Sequence, residues 1–156
     1  MIVWIERRLL LAVHERQLAE HGGLSGVRDE TLLESALARP RQLHAYGEPS
    51  PDLADLAAAL AHGISRNHPF LDGNKRTAWV ACRTFLIING ADVIAEAEEK
   101  YTAMLALAEG RLEAEAFAAW LRPRCVAQAA DTGKVQEPSS GYGTAPSRRR
   151  SSAGNR

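Results

Sequence analysis

Two apolar helical patterns separated by a short polar turn limit the fold of this chain more than any other feature. Leu53, Leu56, Ala57, Leu60 and Ile64 fall at i, i+3, i+4, i+7 and i+11, a stripe that predicts a helix with one face in a core. Ser50-Pro51-Asp52 supplies a start: a capping hydroxyl, a proline at the first helical position and an acid in the first turn. Pro69 biases His68 away from helical geometry, so this helix should stop near Asn67. The second pattern, "TAWVACRTFLII", predicts a helix from Asn74 or Lys75 to Ile88, ended by Asn89-Gly90. Its apolar run marks it as the central, most buried element.

Around this pair the pattern stays helical. Residues 2–21 carry Ile5, Leu9, Ala12 and Val13 near helical spacing and end at "HGG". Asp29 reads as the N-cap of "ETLLESALAR", with Leu32, Leu33, Ala36 and Leu37 on one face and Pro40 closing it. Residues 40–51 hold three prolines and read as an irregular loop or short hairpin. "ADVIA" at 91–95 fits either a short extended piece or a loop. "EAEEKYTAMLALAEG" and "LEAEAFAAWLR" are two last helices, with Met104, Leu105 and Ala108, then Phe117, Ala118 and Leu121, facing inward. The expectation is an all-α bundle of about six helices over residues 1–125. Residues 126–156, rich in Ser, Gly and Arg, are expected to be a disordered tail.

Bulk properties mainly exclude. Lys plus Arg and Asp plus Glu both number 19, so net charge argues for no nucleic-acid partner. The short basic run "SRRR" in the tail would carry a DNA-binding reading only weakly, and direct nucleic-acid binding is not expected. Cys82 and Cys125 match no zinc or disulfide framework, and Cys82 reads as a small buried hydrophobe. The opening "MIVWIERRLL" breaks its apolar run with charge at once, and "LLLAV" is too short for a secretory core or a membrane span. A cytoplasmic chain without a membrane partner is the expectation.

The chemistry collects in "NHPFLDGNKRTA", residues 67–78. A loop that leads into a helix points unpaired backbone N–H groups outward with the helix dipole behind them. Gly73 lets those amides converge into an anion nest. Lys75 and Arg76 put two cations where the dipole disfavours them unless an anion binds there, and a phosphate fits. Asp72, the one acid of the loop, could hold the Mg²⁺ that accompanies nucleotide phosphates. An imidazole such as that of His68 can take a proton from a hydroxyl. Singly, His68 could be a loop cap, Asp72 a turn-former, Asn74 an N-cap, and Lys75 and Arg76 a solvated face. Together they point to transfer of part of a nucleotide to an alcohol side chain. Histidines 14, 21, 44 and 62 show no ligand spacing and read as structural, although His62 and Arg66 precede the loop and could line its pocket.

"HPFLDGNKRTA" resembles the signature of the Fic/Doc superfamily, in its Doc (death on curing) branch. "EHGGLSGVRDETLLESALARP" at 20–40 and "NG" at 89–90 extend the likeness to about residues 8–122. Fic proteins carry H-x-F-x-(D/E)-G-N-G-R-x-x-R and transfer AMP from ATP. Here Lys75 stands at the second glycine and Trp79 at the last arginine, and the Doc branch shares the lysine. The resemblance implies a kinase that uses ATP and Mg²⁺ to phosphorylate a threonine of elongation factor Tu. AMP transfer and an inactive antitoxin-binding scaffold are the alternatives. By resemblance His68 is the general base, Asp72 holds Mg²⁺, and Gly73, Asn74, Lys75 and Arg76 bind phosphates, with Arg66 as a further contact. A target-docking flap is expected at 41–49, and a Phd-type antitoxin as partner.

Overall fold

Six helices form among the described residues: α1 (Arg7–His21), α2 (Glu30–Tyr46), α3 (Leu53–Asn67), α4 (Asn74–Ile88), α5 (Ala97–Ala108) and α6 (Ala114–Leu121). Two short strands, β1 (Ala91–Val93) and β2 (Cys125–Ala127), pair antiparallel. This computed structural model describes residues 1–128. Residues 129–156, most of the expected disordered tail, lie outside the described residues.

The centre of the molecule is α3, not α4 as the apolar run suggested. Ten residues of α3 are buried against seven of α4, whose outer face carries Lys75, Arg76 and Arg83. The reason is side-chain size. Ala54, Ala57, Ala58, Ala59, Ala61 and Gly63 leave α3 thin, so α2, α4, α5 and α6 all pack on it. A Cβ at Gly63 would meet the α2 backbone at Ala36 Cα, 3.1 Å away. The start of α3 is capped by Asp52 rather than Ser50. Asp52 and Asp55 exchange side-chain-to-backbone bonds, both 2.9 Å, in a capping box. Arg122, from the 3₁₀ turn Arg122–Arg124 after α6, donates to both carboxylates and ties the chain's end to this cap.

Three other expectations change. Helix α1 begins at Arg7, and its buried face is Leu10, His14, Gln17 and Leu18 instead of Leu9, Ala12 and Val13. Ile5 is buried as expected but precedes the helix, so a phase counted from it falls off the true face. Pro40 does not close α2; the helix runs on to Tyr46 and ends where Gly47 N–H donates to Leu43 O. A proline inside a helix costs about 3 kcal/mol. Burying an apolar side chain returns about 1.5–3 kcal/mol each, and Leu37, Pro40 and Leu43 all turn inward. Residues 41–46 are therefore helix, and little of the expected flap exists as a free loop.

"ADVIA" resolves into β1, with Ala91 opposite Ala127 and Val93 opposite Cys125, and Gln128 N–H donates to Gly90 O. Val126 and Ala127, read as tail, thus belong to the folded body. In α5 the inward set is Ala103, Met104 and Leu107, with Leu105 and Ala108 half-buried. Phe117, Ala118 and Leu121 of α6 face inward as expected, and Cys82 is fully buried, which pushes its thiol pKa up. Among the described residues no helix is long and apolar enough to cross a membrane.

Candidate active site

Helix α3 ends at Asn67, and His68 turns the chain with φ 49° and ψ 57°, a left-handed conformation unusual for a residue with a side chain. The turn is held from outside the loop. Arg28 Nε donates to His68 O at 2.7 Å and Arg28 Nη2 to Asn67 O at 2.8 Å. The backbone N–H groups of Arg28 and Asp29 both donate to Pro69 O. Val27 then bridges Phe70, and Leu71 N–H donates to Gly26 O at 3.1 Å. Residues 26–29 thus run antiparallel to the loop as a brace. The His68 side chain is left exposed, as a base that must meet a substrate hydroxyl requires.

Phe70 anchors the loop in the core at 1 % exposure. The His14 ring stacks on it, centroids 3.8 Å apart and planes within 8°. His14 Nε2 lies 2.8 Å from Asp72 O; a carbonyl only accepts, so Nε2 carries the proton and donates. Asn74 closes the loop from the other side. Its Oδ1 accepts from Phe70 N–H and its Nδ2 donates to Phe70 O, both at 3.0 Å, in a buried setting. The structure therefore assigns the Asn74 amide to shaping the loop, and only its backbone N–H faces the N-terminal end of α4.

Asp72 is exposed at the mouth. One carboxylate oxygen accepts from Gly73 N–H at 2.9 Å and the other from Leu24 N–H at 3.2 Å. A Cβ on Gly23 would lie 2.8 Å from Asp72 Oδ2, so the carboxylate sits against a backbone that only glycine permits there. Gly73 enters α4 with φ 75°. Lys75 and Arg76 follow, both exposed and without a carboxylate within 4.0 Å among the described residues. Arg76 has only a long contact, 3.4 Å, to Gly22 O. Two uncompensated cations thus stand at the positive end of a helix dipole.

Two sequence candidates lie elsewhere. Arg66 Nη1 donates to Ala108 O at 3.1 Å and packs against Gly110, at the turn after α5. It caps that helix and is not gathered with the loop. His62 lines a separate cavity of about 560 Å³ with Arg39 and Glu113, and its Nδ1 accepts from Arg39 Nη1. Burial first, and Arg39 second, hold its imidazole below the ordinary pKa. Sequence reasoning in turn missed Arg28 and His14 as loop supports. Neither carries a spacing signal, because the partners lie 40 and 58 positions away.

The residues fit a magnesium nucleotide. No cluster of three His, Cys, Asp or Glu side chains exists among the described residues, so no all-protein metal cage is present. Mg²⁺ does not need one: it is commonly bound by one or two carboxylates plus substrate phosphates and water. Asp72 keeps free lone pairs beyond its two N–H contacts for that role.

The Fic/DOC family model matches residues 4–86. Toxin Doc of Mycolicibacterium smegmatis is 53% identical over 76 residues, 48% of this chain and 58% of that protein. Protein kinase doc of Escherichia phage P1 is 32% identical over 113 residues, 72% of this chain and 88% of that protein. The match thus spans less than two thirds of the first relative and most of the second. With the braced HPFLDGNKR loop at the head of α4 and these likenesses over most of the folded body, the chain belongs to the Doc branch of the Fic/Doc family.

Proposed function

We propose that the chain is a Doc-type toxin that transfers the γ-phosphate of ATP to a threonine hydroxyl of a translation factor, elongation factor Tu by family resemblance. The observation that carries this reading is the pair Lys75 and Arg76, exposed and without a carboxylate partner among the described residues at the N-terminus of α4, where only an anion makes two cations favourable. The first-turn amides after Gly73 and these two side chains bind the phosphate oxygens. His68 accepts the proton of the acceptor hydroxyl as that oxygen bonds to the γ-phosphorus. The bond from the γ-phosphorus to the β–γ bridging oxygen breaks, and ADP leaves. Catalysis is then mostly positioning and charge stabilisation. Bound at Asp72, Mg²⁺ would neutralise phosphate charge.

Two features favour γ-phosphate over AMP transfer. Lys75 fills part of the nest that a second glycine would leave open, and Trp79 replaces an arginine that would clamp a further phosphate. The name of the phage relative, a protein kinase, points the same way. A Phd-type antitoxin as partner and action in the cytoplasm belong to the same reading by family resemblance, and the name Toxin Doc of the mycobacterial relative supports its toxin part. The test is incubation with elongation factor Tu and ATP labelled at either the α- or the γ-phosphate. Label from the γ position on the factor is expected. Label from the α position instead would replace the kinase reading with AMP transfer, and no label from either would remove elongation factor Tu as substrate.

A further inference from the structure

A cavity of about 650 Å³ opens between α1, α4 and α5, and Lys75 and Arg76 form part of its wall. The rest of that wall has no role in the transfer described above. We propose that this cavity holds the base of the nucleotide, with Trp79 as the stacking surface and Gln17 as the group that reads the base edge. The inference rests on the phosphate reading of the α4 N-terminus.

Gln17 is 7 % exposed and lines the cavity, yet its side-chain amide makes no hydrogen bond among the described residues. The fully buried side-chain atoms without a partner among the described residues are Ser65 Oγ and Thr77 Oγ1, so the Gln17 amide keeps contact with the solvent of the cavity, which a ligand there would replace. An amide offers one donor side and one acceptor side, the pairing that Gln makes with the N6 and N7 edge of adenine.

Trp79 stands where the family motif has its last arginine, and its ring is half-buried in the same wall. Trp120 packs against it at 6.3 Å between centroids and 67° between planes, which limits its motion. Lys100 Nζ lies over the ring at 5.5 Å. An ammonium at an exposed ring is held more weakly than a stacked base, so Lys100 gives way and keeps its charge near the ribose and phosphates.

Charge and length agree. Glu20, the carboxylate in the wall, is engaged by Arg16 at 3.1 Å, and Arg83 is paired with Asp92, which leaves Lys75, Arg76 and Lys100 as the wall's cations without a carboxylate partner among the described residues. From Asn74 to Trp79 the helix rises about 7.5 Å, so phosphates at the nest and a base on Trp79 would lie along one helix face.

The test measures binding of ATP and of inorganic tripolyphosphate, each with Mg²⁺, to the full chain by calorimetry. ATP should bind at least about tenfold tighter than tripolyphosphate. Trp79→Ala should erase that difference and leave tripolyphosphate unchanged, and Trp79→Phe should keep most of it. Gln17→Leu, a variant that spares the Trp79–Trp120 packing, should weaken ATP alone and narrow its preference over GTP. Equal affinities for ATP and tripolyphosphate in the wild type, or unchanged ATP affinity in Trp79→Phe, Trp79→Ala and Gln17→Leu alike, would overturn the base site and leave the phosphate reading standing. Binding of neither ligand would overturn the phosphate reading and this inference together.

Discussion

Arg28 donates to the carbonyl oxygens of His68 and Asn67 at 2.7 and 2.8 Å, and so fixes a left-handed turn 40 residues further along the chain. That turn leaves the imidazole exposed. Replacing Arg28 with alanine frees the turn to relax toward ordinary backbone angles, which favours them by about 1–2 kcal/mol. Arg28 is exposed, so the fold should survive. We expect kcat for phosphate transfer to fall at least about tenfold, with KM for ATP nearly unchanged. Arg28→Lys should recover little, since an ammonium lacks the planar fork that serves two carbonyls. Steady-state kinetics on both variants checks this.

His14 does the corresponding work for Asp72. His14→Phe keeps a ring against Phe70 but removes the donor to Asp72 O. Stability should drop by about 1–3 kcal/mol, the cost of an orphaned carbonyl, and transfer should fall more than the fold does. His14→Ala should cost more, about 3–5 kcal/mol, because it also opens a cavity. Urea unfolding measured beside transfer rates separates the two effects.

Asn74 is expected to behave as a structural residue. Asn74→Ala leaves the N–H and C=O of Phe70 buried without partners, at about 1–3 kcal/mol each. A loss of several kcal/mol in urea unfolding is the expected outcome. Asn74→Ala with wild-type stability and selectively weakened ATP binding would instead place the amide on phosphate.

At the other end of α3, Arg122 holds the Asp52 carboxyl well below the usual carboxylate range, mainly through its hydrogen bond, with Asp55 and the backbone adding to it against some desolvation. A depressed carboxylate stabilises the fold at pH above its unfolded pKa, about 4, and loses that contribution as pH falls toward the folded value. Asp52 is half exposed, so solvent screening keeps the effect small. Asp52→Asn should be less stable than wild type at neutral pH, with a gap that narrows below about pH 4. Thermal unfolding from pH 2 to 7 reads it directly.

The loop was legible because its chemistry is contiguous. His68, Asp72, Gly73, Lys75 and Arg76 fall within nine consecutive residues, on the turn after α3 and the first turn of α4. Helix ends set by local chemistry, at Asp29, Asn67 and Asn89-Gly90, were legible for the same reason. What sequence patterns missed depends on distant packing. Pro40 stays inside α2 with its ring buried, an effect of tertiary packing that no local rule contains. Arg66 looked close to His68 in sequence, yet its position on α3 carries it to the α5–α6 turn. Histidine 14 lacks ligand spacing because its partners, Phe70 and Asp72, lie in the α3–α4 loop, far along the chain from α1.

The central claim is that an imidazole on a braced turn serves a phosphate held at the head of α4. Single-turnover transfer of γ-labelled phosphate to elongation factor Tu by His68→Ala, with ATP affinity measured on the same preparation, tests it most directly. The account predicts that transfer falls at least about a hundredfold while ATP binds as tightly as to the wild type. Undiminished transfer by the folded His68→Ala protein would contradict it.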